Sequence, residues 1–314
     1  MSTPILLDLC RHVAHVRQGE WDGLAIDDLC LDSLFTSVRL SDGSVGVAMN
    51  YDLEGDHCIT HAQVDETRRR LRERLVEEPL LWEFLQKPSP SLGQQALLVA
   101  VLSALCAPVL ADEVQLRRLG LMSTAGRIAL KTFEPVGCRK LAVVGFGGFL
   151  EEALAQDWLE KVSCIDFLAN NEEFRRINPY PFRLYEEASK RMEVVYDDGP
   201  RAGELIEEAD VVCISASTLC NGSLESLLPS PRSGRVVIVE GPSGGVLPGP
   251  LFERGVTHLV HNPVEVDFVE LSHRFSRQSR LGLQKINSGR FIDVILPEQR
   301  TVWAAVAKIE PGSS

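Results

Sequence analysis

The sequence lacks a hydrophobic run long enough to cross a membrane. A membrane-spanning helix needs roughly 20 consecutive apolar residues, and polar residues or proline interrupt every apolar stretch sooner. The first residues, MSTPILLDLCRHVAHVRQGE, also lack the basic start and unbroken apolar segment of a secretory signal. We therefore predict a cytoplasmic protein with no membrane partner.

Basic residues are outnumbered by acidic ones. The 314 residues include 32 Lys and Arg against 44 Asp and Glu, a formal net charge of −12 at pH 7 with His neutral. Nucleic acids and anionic lipid surfaces are bound by basic faces. The composition therefore argues against nucleic acid as a partner and favours a small-molecule or metal ligand, with some preference for cations.

The usual cysteine and zinc motifs are missing as well. The chain has eight cysteines, yet it has no CxxC pair and no HExxH sequence. Several cysteines stand in apolar runs, such as Cys106 in ALCAPV and Cys164 in VSCIDF, where a thiol behaves as a small buried apolar group. We predict neither a disulfide framework nor a structural zinc site.

Three histidines are weak candidates for metal ligands. His57 and His61 are four residues apart, as two ligands on one helix face would be, but Thr60 is the favoured N-cap of that helix and would leave His57 outside it. His258 and His261 are three residues apart in a predicted strand, which places their rings on opposite faces and leaves His261 alone at the strand end. Any divalent metal is therefore expected to be held weakly or through a small ligand.

The order of elements predicts an α/β protein of two domains. Residues 1–112 contain a predicted helix over residues 3–17, a hairpin in SVRLSDGSVGVAMNYD and a buried helix that ends before Pro108. In residues 113–314 the apolar strands KLAVVGF, VSCIDF, DVVCISAS and RVVIVEG alternate with helices. This alternation predicts a mostly parallel, Rossmann-like sheet that follows a small α+β domain.

Ligands of a parallel sheet bind where its strands end. The first such loop, GFGGFL, supplies Gly145 and Gly147 of a GxGxxG fingerprint but has Leu150 in place of the third glycine. Glu151 and Glu152 follow in the first helical turn and would repel a pyrophosphate. NAD is therefore not expected. S-adenosylmethionine has a ribose and no phosphate, and it remains an alternative with Asp166 placed to bind the ribose. The full set of candidate ligand-binding residues is Gly145, Gly147, Asp166, Ser215, Thr218, Asn221, Gly222, Gly241, Pro242 and Ser243.

Two later loops carry most of these candidates. Thr218 and Asn221 are predicted to face a cleft, with Asn221 either contacting a ligand or bracing its own turn, and Ser223 is predicted to cap the next helix. The loop GPSGG is predicted to hold its amides open as an anion nest. The stretch EEFRRINPYPFRLYEEASKR, which includes Tyr185, is predicted to be either a lid over the site or an exposed helix.

Three of these segments resemble a known family. DVVCISASTLCNGSLESLL, VEGPSGGVLPGPLFERGVTHL and AVVGFGGFLEEAL are similar to the putative heavy-metal chelation domain family. The resemblance implies an enolase N-terminal-like domain followed by a Rossmann-like domain, with a site between them that includes Thr218, Asn221, Gly222, Gly241, Pro242 and Ser243. It also implies binding or processing of a metal ion or a small metal-chelating molecule.

The chemistry at that site is left open. The alternative function is an enzyme that uses S-adenosylmethionine or another nucleoside between Gly145 and Asp166, in which case a transferase or lyase is favoured over an NAD-dependent dehydrogenase. No catalytic residues are assigned, and the oligomeric state is open, with a homodimer as one alternative.

Overall fold

The computed structural model describes residues 4–17, 24–31, 35–50, 92–126, 128–145, 148–166, 179–232, 234–264 and 292–295. The candidates His57, His61 and Gly147 lie outside these ranges. The described strands are β1 (Ile26–Leu31), β2 (Phe35–Leu40), β3 (Val45–Met49), β4 (Met122–Ala125), β5 (Lys140–Val144), β6 (Lys161–Ile165), β7 (Glu193–Asp197), β8 (Val211–Ser215), β9 (Val236–Glu240), β10 (His258–His261) and β11 (Ile292–Ile295). The described α-helices are α1 (Pro4–Val16), α2 (Leu92–Leu110), α3 (Glu113–Arg118), α4 (Gly148–Ala155), α5 (Pro179–Ala188), α6 (Ala202–Glu208), α7 (Thr218–Asn221), α8 (Leu224–Leu227) and α9 (Gly249–Phe252).

The N-terminal part is a three-stranded antiparallel sheet packed on α2. β2 and β3 form the predicted hairpin, and Gly43 in its turn has a φ of 87° that favours glycine. β1 pairs with the other side of β2 and was not predicted. A β-carbon on Gly46 would lie far inside contact distance of the Ala100 carbonyl and the Ala104 amide, so β3 meets α2 backbone to backbone.

The predicted end of α2 before Pro108 is wrong. The helix continues through Pro108 to Leu110, and the amide of Ala111 still donates to the carbonyl of Ala107. Pro108 stands in the last turn, where its missing N–H removes a single helical hydrogen bond. Burial of Val109 and Leu110 in the core offsets that loss.

The second sheet has eight strands in the order β4-β11-β10-β9-β8-β5-β6-β7. The six strands from β10 to β7 in this order run parallel, as predicted, whereas β11 is antiparallel to both β10 and β4. From β5 the chain builds outward through β6 to β7 and then returns to β8 on the other side of β5. The strand order therefore reverses between β5 and β8, which is where open α/β sheets form a ligand crevice.

One hydrophobic core connects the two sheets. It joins Leu9 of α1 and Leu102 of α2 to Val239 of β9 and Leu259 of β10. A second core on the opposite face of the large sheet lies under α4 and α5. Among the described residues, no helix is long and apolar enough to span a membrane.

The described part of the predicted lid belongs to this second core. Tyr185 of α5 is buried, and its ring stacks on Tyr196 of β7 with centroids 3.6 Å apart. A side chain held in this way packs a helix onto the sheet and cannot open and close over a site. The lid interpretation is therefore wrong for α5, because Phe182 and Tyr185 both stack on Tyr196 of β7.

Candidate functional site

Gly145 and Ser215 meet at the reversal of strand order. Gly145 follows β5 with a φ of 93°, and its amide donates to the carbonyl of Ile165 at 2.9 Å. A β-carbon at this position would lie 3.0 Å from the Ser215 β-carbon. Glycine therefore permits both the turn and the approach of β8, and the crevice floor at this point consists of Gly145 backbone and Ser215 side chain.

Ser215 and Ser217 form a hydroxyl pair above that floor. Their Oγ atoms lie 2.8 Å apart, and both residues are half-buried. Two linked hydroxyls offer a ligand both a donor and an acceptor. The structure thus brings the predicted residues Gly145 and Ser215 together and adds Ser217, which the polar sequence at the end of β8 had marked only in general terms.

Asp166 stands on the other side of Gly145. β6 ends at Ile165, so Asp166 is the first residue after the strand, and its amide donates to the Asp197 carbonyl at 2.9 Å. Its side chain is half-buried. Asp166 therefore occupies the position after the second strand that the sequence predicts for a ribose-binding acid.

Glu152 has a structural role in addition to its negative charge. Its Oε1 accepts a hydrogen bond from the amide of Leu130 at 2.6 Å, which ties α4 to the 3₁₀ helix Leu130–Phe133. Glu151 remains exposed in the first turn of α4. The predicted repulsion of a pyrophosphate at the start of α4 accordingly rests mainly on Glu151.

The turn after β8 is held by its own side chains. The Thr218 hydroxyl donates to the Ser215 carbonyl at 2.7 Å, and Thr218 is buried. Asn221 Oδ1 accepts from the amide of Ser223 at 3.0 Å and from its hydroxyl at 2.7 Å. Gly222 has a φ of 75° that allows this sharp turn. Asn221 braces its own turn through Oδ1, and its contact with a ligand stays a prediction.

The predicted cap of α8 is wrong. Ser223 precedes α8, but its side chain makes no capping hydrogen bond. The hydroxyl donates to Asn221 Oδ1 instead. The Ser223 hydroxyl therefore bonds to the side-chain amide oxygen of Asn221, two residues earlier, and does not cap the start of α8.

The loop after β9 is a packing surface and does not form the open nest that the glycines predicted. The amides of Gly241 and Gly244 donate to the carbonyls of Val260 and Gly241. A β-carbon on Gly245 would lie 2.5 Å from the Ser103 hydroxyl of α2. Gly245 lets α2 approach the loop closely, and the amides of Gly241 and Gly244 are used by carbonyls of the protein, so they are not arranged around an anion. Pro242 and Gly241 remain half-buried at its rim.

Ser243 ties the two sheets together. It is buried, and its Oγ accepts a hydrogen bond from the Met49 amide at the end of β3 at 3.0 Å. The Cys220 thiol lies in the same contact, hydrogen-bonded to the Ser243 side chain and the Met49 backbone. Burial raises the pKa of Cys220 to about 12, partly opposed by these hydrogen bonds. The thiol is therefore protonated and is a poor metal ligand at neutral pH.

The two histidines of β10 are both buried. His258 meets the ring of Phe133 edge-on in the second core, at 6.4 Å between centroids. His261 pairs in register with Ile292, which packs on the first core. Burial lowers the pKa of each imidazole to about 4. Both rings are neutral at pH 7, and they point to opposite faces of the sheet as the spacing predicts.

A row of polar residues along the carboxyl edge was missed. In cross-strand register, Ser215 of β8 pairs with Glu240 of β9, Glu240 with Val260 of β10, Val260 with Asp293 of β11, and Asp293 with Thr124 of β4. Residues paired in register point to the same face of a sheet. Four polar side chains therefore form a strip that starts at the Gly145–Ser215 crevice. The only signal in the sequence was the lone Asp within FIDVIL.

These features define a mixed α/β protein with a mostly parallel eight-stranded sheet, a separate small antiparallel sheet, and a polar carboxyl edge next to the contact between them. Residues 138–265 match the model of the family DUF364, described as "Putative heavy-metal chelation". This match agrees with the family resemblance found in the sequence.

Two solved structures of the same family share the fold of nearly the whole chain. A protein of unknown function from Pyrococcus horikoshii is 20% identical with a TM-score of 0.63, covering 93% of this chain and 99% of its own. A protein of unknown function from Desulfitobacterium hafniense DCB-2 is 18% identical with a TM-score of 0.58, covering 92% and 98% respectively. A search of the curated proteins finds no significant match.

Proposed function

We propose that this protein binds a small metal-chelating molecule, or the metal complex of such a molecule, in the crevice above Gly145 and Ser215. In this proposal residues 1–112 are an enolase N-terminal-like domain and residues 113–314 a Rossmann-like domain. The observation that carries it is the half-buried hydroxyl pair of Ser215 and Ser217 at the point where the strand order reverses.

The donor chemistry favours a chelated metal over a bare ion. Among the described residues no three His, Cys, Asp or Glu side chains converge to hold a metal. The buried thiol of Cys220 and the imidazole of His261 are shut in the core. Hydroxyls, carboxylates and backbone groups at the crevice suit a polar organic molecule, which would bring most of the metal's ligands with it.

The test starts with what the protein carries. A native mass spectrum and a metal analysis of one purified sample should find a small molecule in stoichiometric amount. Ser215→Ala should weaken the affinity for this molecule at least about tenfold, the effect of losing roughly 1.4 kcal/mol of polar contact, so that less of it stays bound after dialysis. Ser189→Ala is the control, because Ser189 is exposed and donates to Glu186 far from the crevice. A bare spectrum, or equal occupancy in the Ser215 and Ser189 variants, would contradict the proposal.

A second candidate is a nucleoside ligand such as S-adenosylmethionine. Asp166 directly follows β6 beside Gly145, whose amide bonds to Ile165, and an acid in this position binds a ribose in doubly wound sheets. Calorimetric titration with S-adenosylmethionine should then give saturable binding that Asp166→Asn weakens at least about tenfold. Heat of dilution alone in the wild-type protein would exclude this ligand.

A further inference from the structure

We propose that Asp293 and Glu240 form a binding site for a hard divalent cation at the carboxyl edge of the large sheet. The site deepens the proposed function and rests on it, because the cation would be the metal of the bound complex or the bridge to that ligand. Nothing in the sequence motifs marks these two residues as a pair. Strand register brings them together.

The register fixes their geometry. Glu240 and Asp293 flank Val260, one on each neighbouring strand, and all three point to the same face. Two strand spacings separate their α-carbons by roughly 10 Å. Two carboxylate side chains that lean over a valine can share one cation across this span, with oxygen–cation bonds of about 2.0–2.6 Å. Ser215 lies next to Glu240 in the same row, so the cation site continues into the crevice.

The strongest evidence for a bound cation is the buried carboxylate of Asp293. It is completely buried, and neither carboxylate oxygen has a hydrogen-bond partner among the described residues. A buried carboxylate without a partner costs several kcal/mol. Such a group is expected either to hold its proton or to have a cation beside it.

The described side chains of this row supply no positive charge to Asp293. His258 precedes Val260 by two residues on β10 and therefore points to the same face, and burial lowers its pKa to about 4, so that its ring is neutral at pH 7. Of the other polar members of the row, Glu240 is acidic, whereas Ser215 and Thr124 are uncharged hydroxyl residues. Burial raises the pKa of Asp293 itself to about 8. In the free protein a proton therefore fills the role that the cation takes when it binds.

The ligand types indicate which cation fits. Carboxylate and hydroxyl oxygens are the ligands of Mg²⁺ and Mn²⁺, and Mg²⁺ is commonly held by one or two carboxylates with water and a bound substrate supplying the rest. A site of two carboxylates agrees with the absence of any converging group of three among the described residues. It predicts weak binding of the bare ion.

Mn²⁺ alone is the probe, because its free form is counted directly by electron paramagnetic resonance. The full chain should bind one Mn²⁺ at millimolar concentration or below. Asp293→Asn and Glu240→Gln should each weaken this binding at least tenfold, a loss of about 1.4 kcal/mol. Asp198→Asn, which removes a charge from an exposed residue at the same edge, should change it less than twofold. Circular dichroism and urea unfolding of each variant establish that it is folded.

The outcomes separate this inference from the proposed function. If wild type binds no Mn²⁺, or if folded Asp293→Asn and Glu240→Gln bind it as wild type does, the cation site is refuted. Loss of the co-purified molecule in Ser215→Ala alongside unchanged Mn²⁺ binding in Asp293→Asn would refute the cation site and leave the proposed function standing. Loss of Mn²⁺ in both carboxylate variants supports the site even when no organic molecule co-purifies.

Discussion

Replacing Asp293 by Asn should make the stability of the protein much less dependent on pH. In the folded chain, burial raises the pKa of this carboxyl from 3.8 to about 8, whereas the unfolded chain keeps it near the lower value. Between these two values the folded protein holds a proton that the unfolded chain releases. The stabilising contribution of that proton is therefore complete below the unfolded pKa and is lost as the pH rises through the folded one.

The size of the effect follows from the separation of the two pKa values. Each unit of pH between them removes about 1.4 kcal/mol from the free energy of unfolding. From about pH 4 to pH 7 the wild-type protein should thus lose roughly 4 kcal/mol through this residue. Asn has nearly the same shape and no proton to lose. The free energy of unfolding of the variant, relative to that of the wild type, should therefore rise by about 1.4 kcal/mol per pH unit over this range.

Urea unfolding at several pH values, in the presence of a chelator that keeps cations away from the site, measures this difference. The useful quantity is the free energy of unfolding of Asp293→Asn minus that of the wild type, plotted against pH. Asp198→Asn serves as the control, and its curve should stay within about 0.5 kcal/mol of the wild type, as expected for a surface substitution. A flat difference plot for Asp293→Asn would refute the burial of an unpartnered carboxyl at this position.

Three further predictions concern packing and ligand choice. Gly46→Ala should lower the free energy of unfolding by about 3 kcal/mol or more, because the new methyl group meets α2 backbone. Gly203→Ala, in open space on α6, should raise the free energy of unfolding by about 0.5–1 kcal/mol. Equal effects of the two substitutions in urea unfolding would contradict this prediction. Ser243→Ala should cost about 1–3 kcal/mol by leaving the Met49 amide without its acceptor, and an unchanged midpoint would contradict it. Calorimetry should detect no NAD binding, and micromolar affinity would show that Glu151 does not exclude a pyrophosphate.

The central strands could be predicted because a strand that is buried on both faces has a nearly continuous apolar sequence. KLAVV of β5 and VVIVE of β9 are nearly continuous apolar runs, and the strands end directly before the predicted loop residues Gly145 and Gly241. β1 reads IDDLCL and β11 reads IDVI. β1 contains two acidic residues and β11 one, which break the apolar pattern, and each strand is placed only by pairing with another strand. Their positions depend on the neighbouring strands with which they pair, and the local sequence does not identify those strands.

The roles of the loops could be predicted less well, since a glycine has the same appearance in sequence whether it serves a ligand or a neighbouring helix. Gly145 permits a turn at the crevice, while Gly245 makes room for Ser103 of α2, which is distant in sequence. In the same way, Ser243 looked like a ligand-binding hydroxyl and is used by Met49. Only the residue packed opposite decides between these uses.

The packing of the loop after β9 restricts the route by which a ligand can enter the crevice. Ser243 and Gly245 fix this loop to β3 and α2 through a buried hydrogen bond and a close backbone approach. The core shared by the two sheets passes directly beneath it. Opening the contact between the sheets would expose that core, so a hinge here is costly. A ligand is therefore expected to reach the crevice from above the strand ends, past Asp166 and Ser217, with both sheets staying in place.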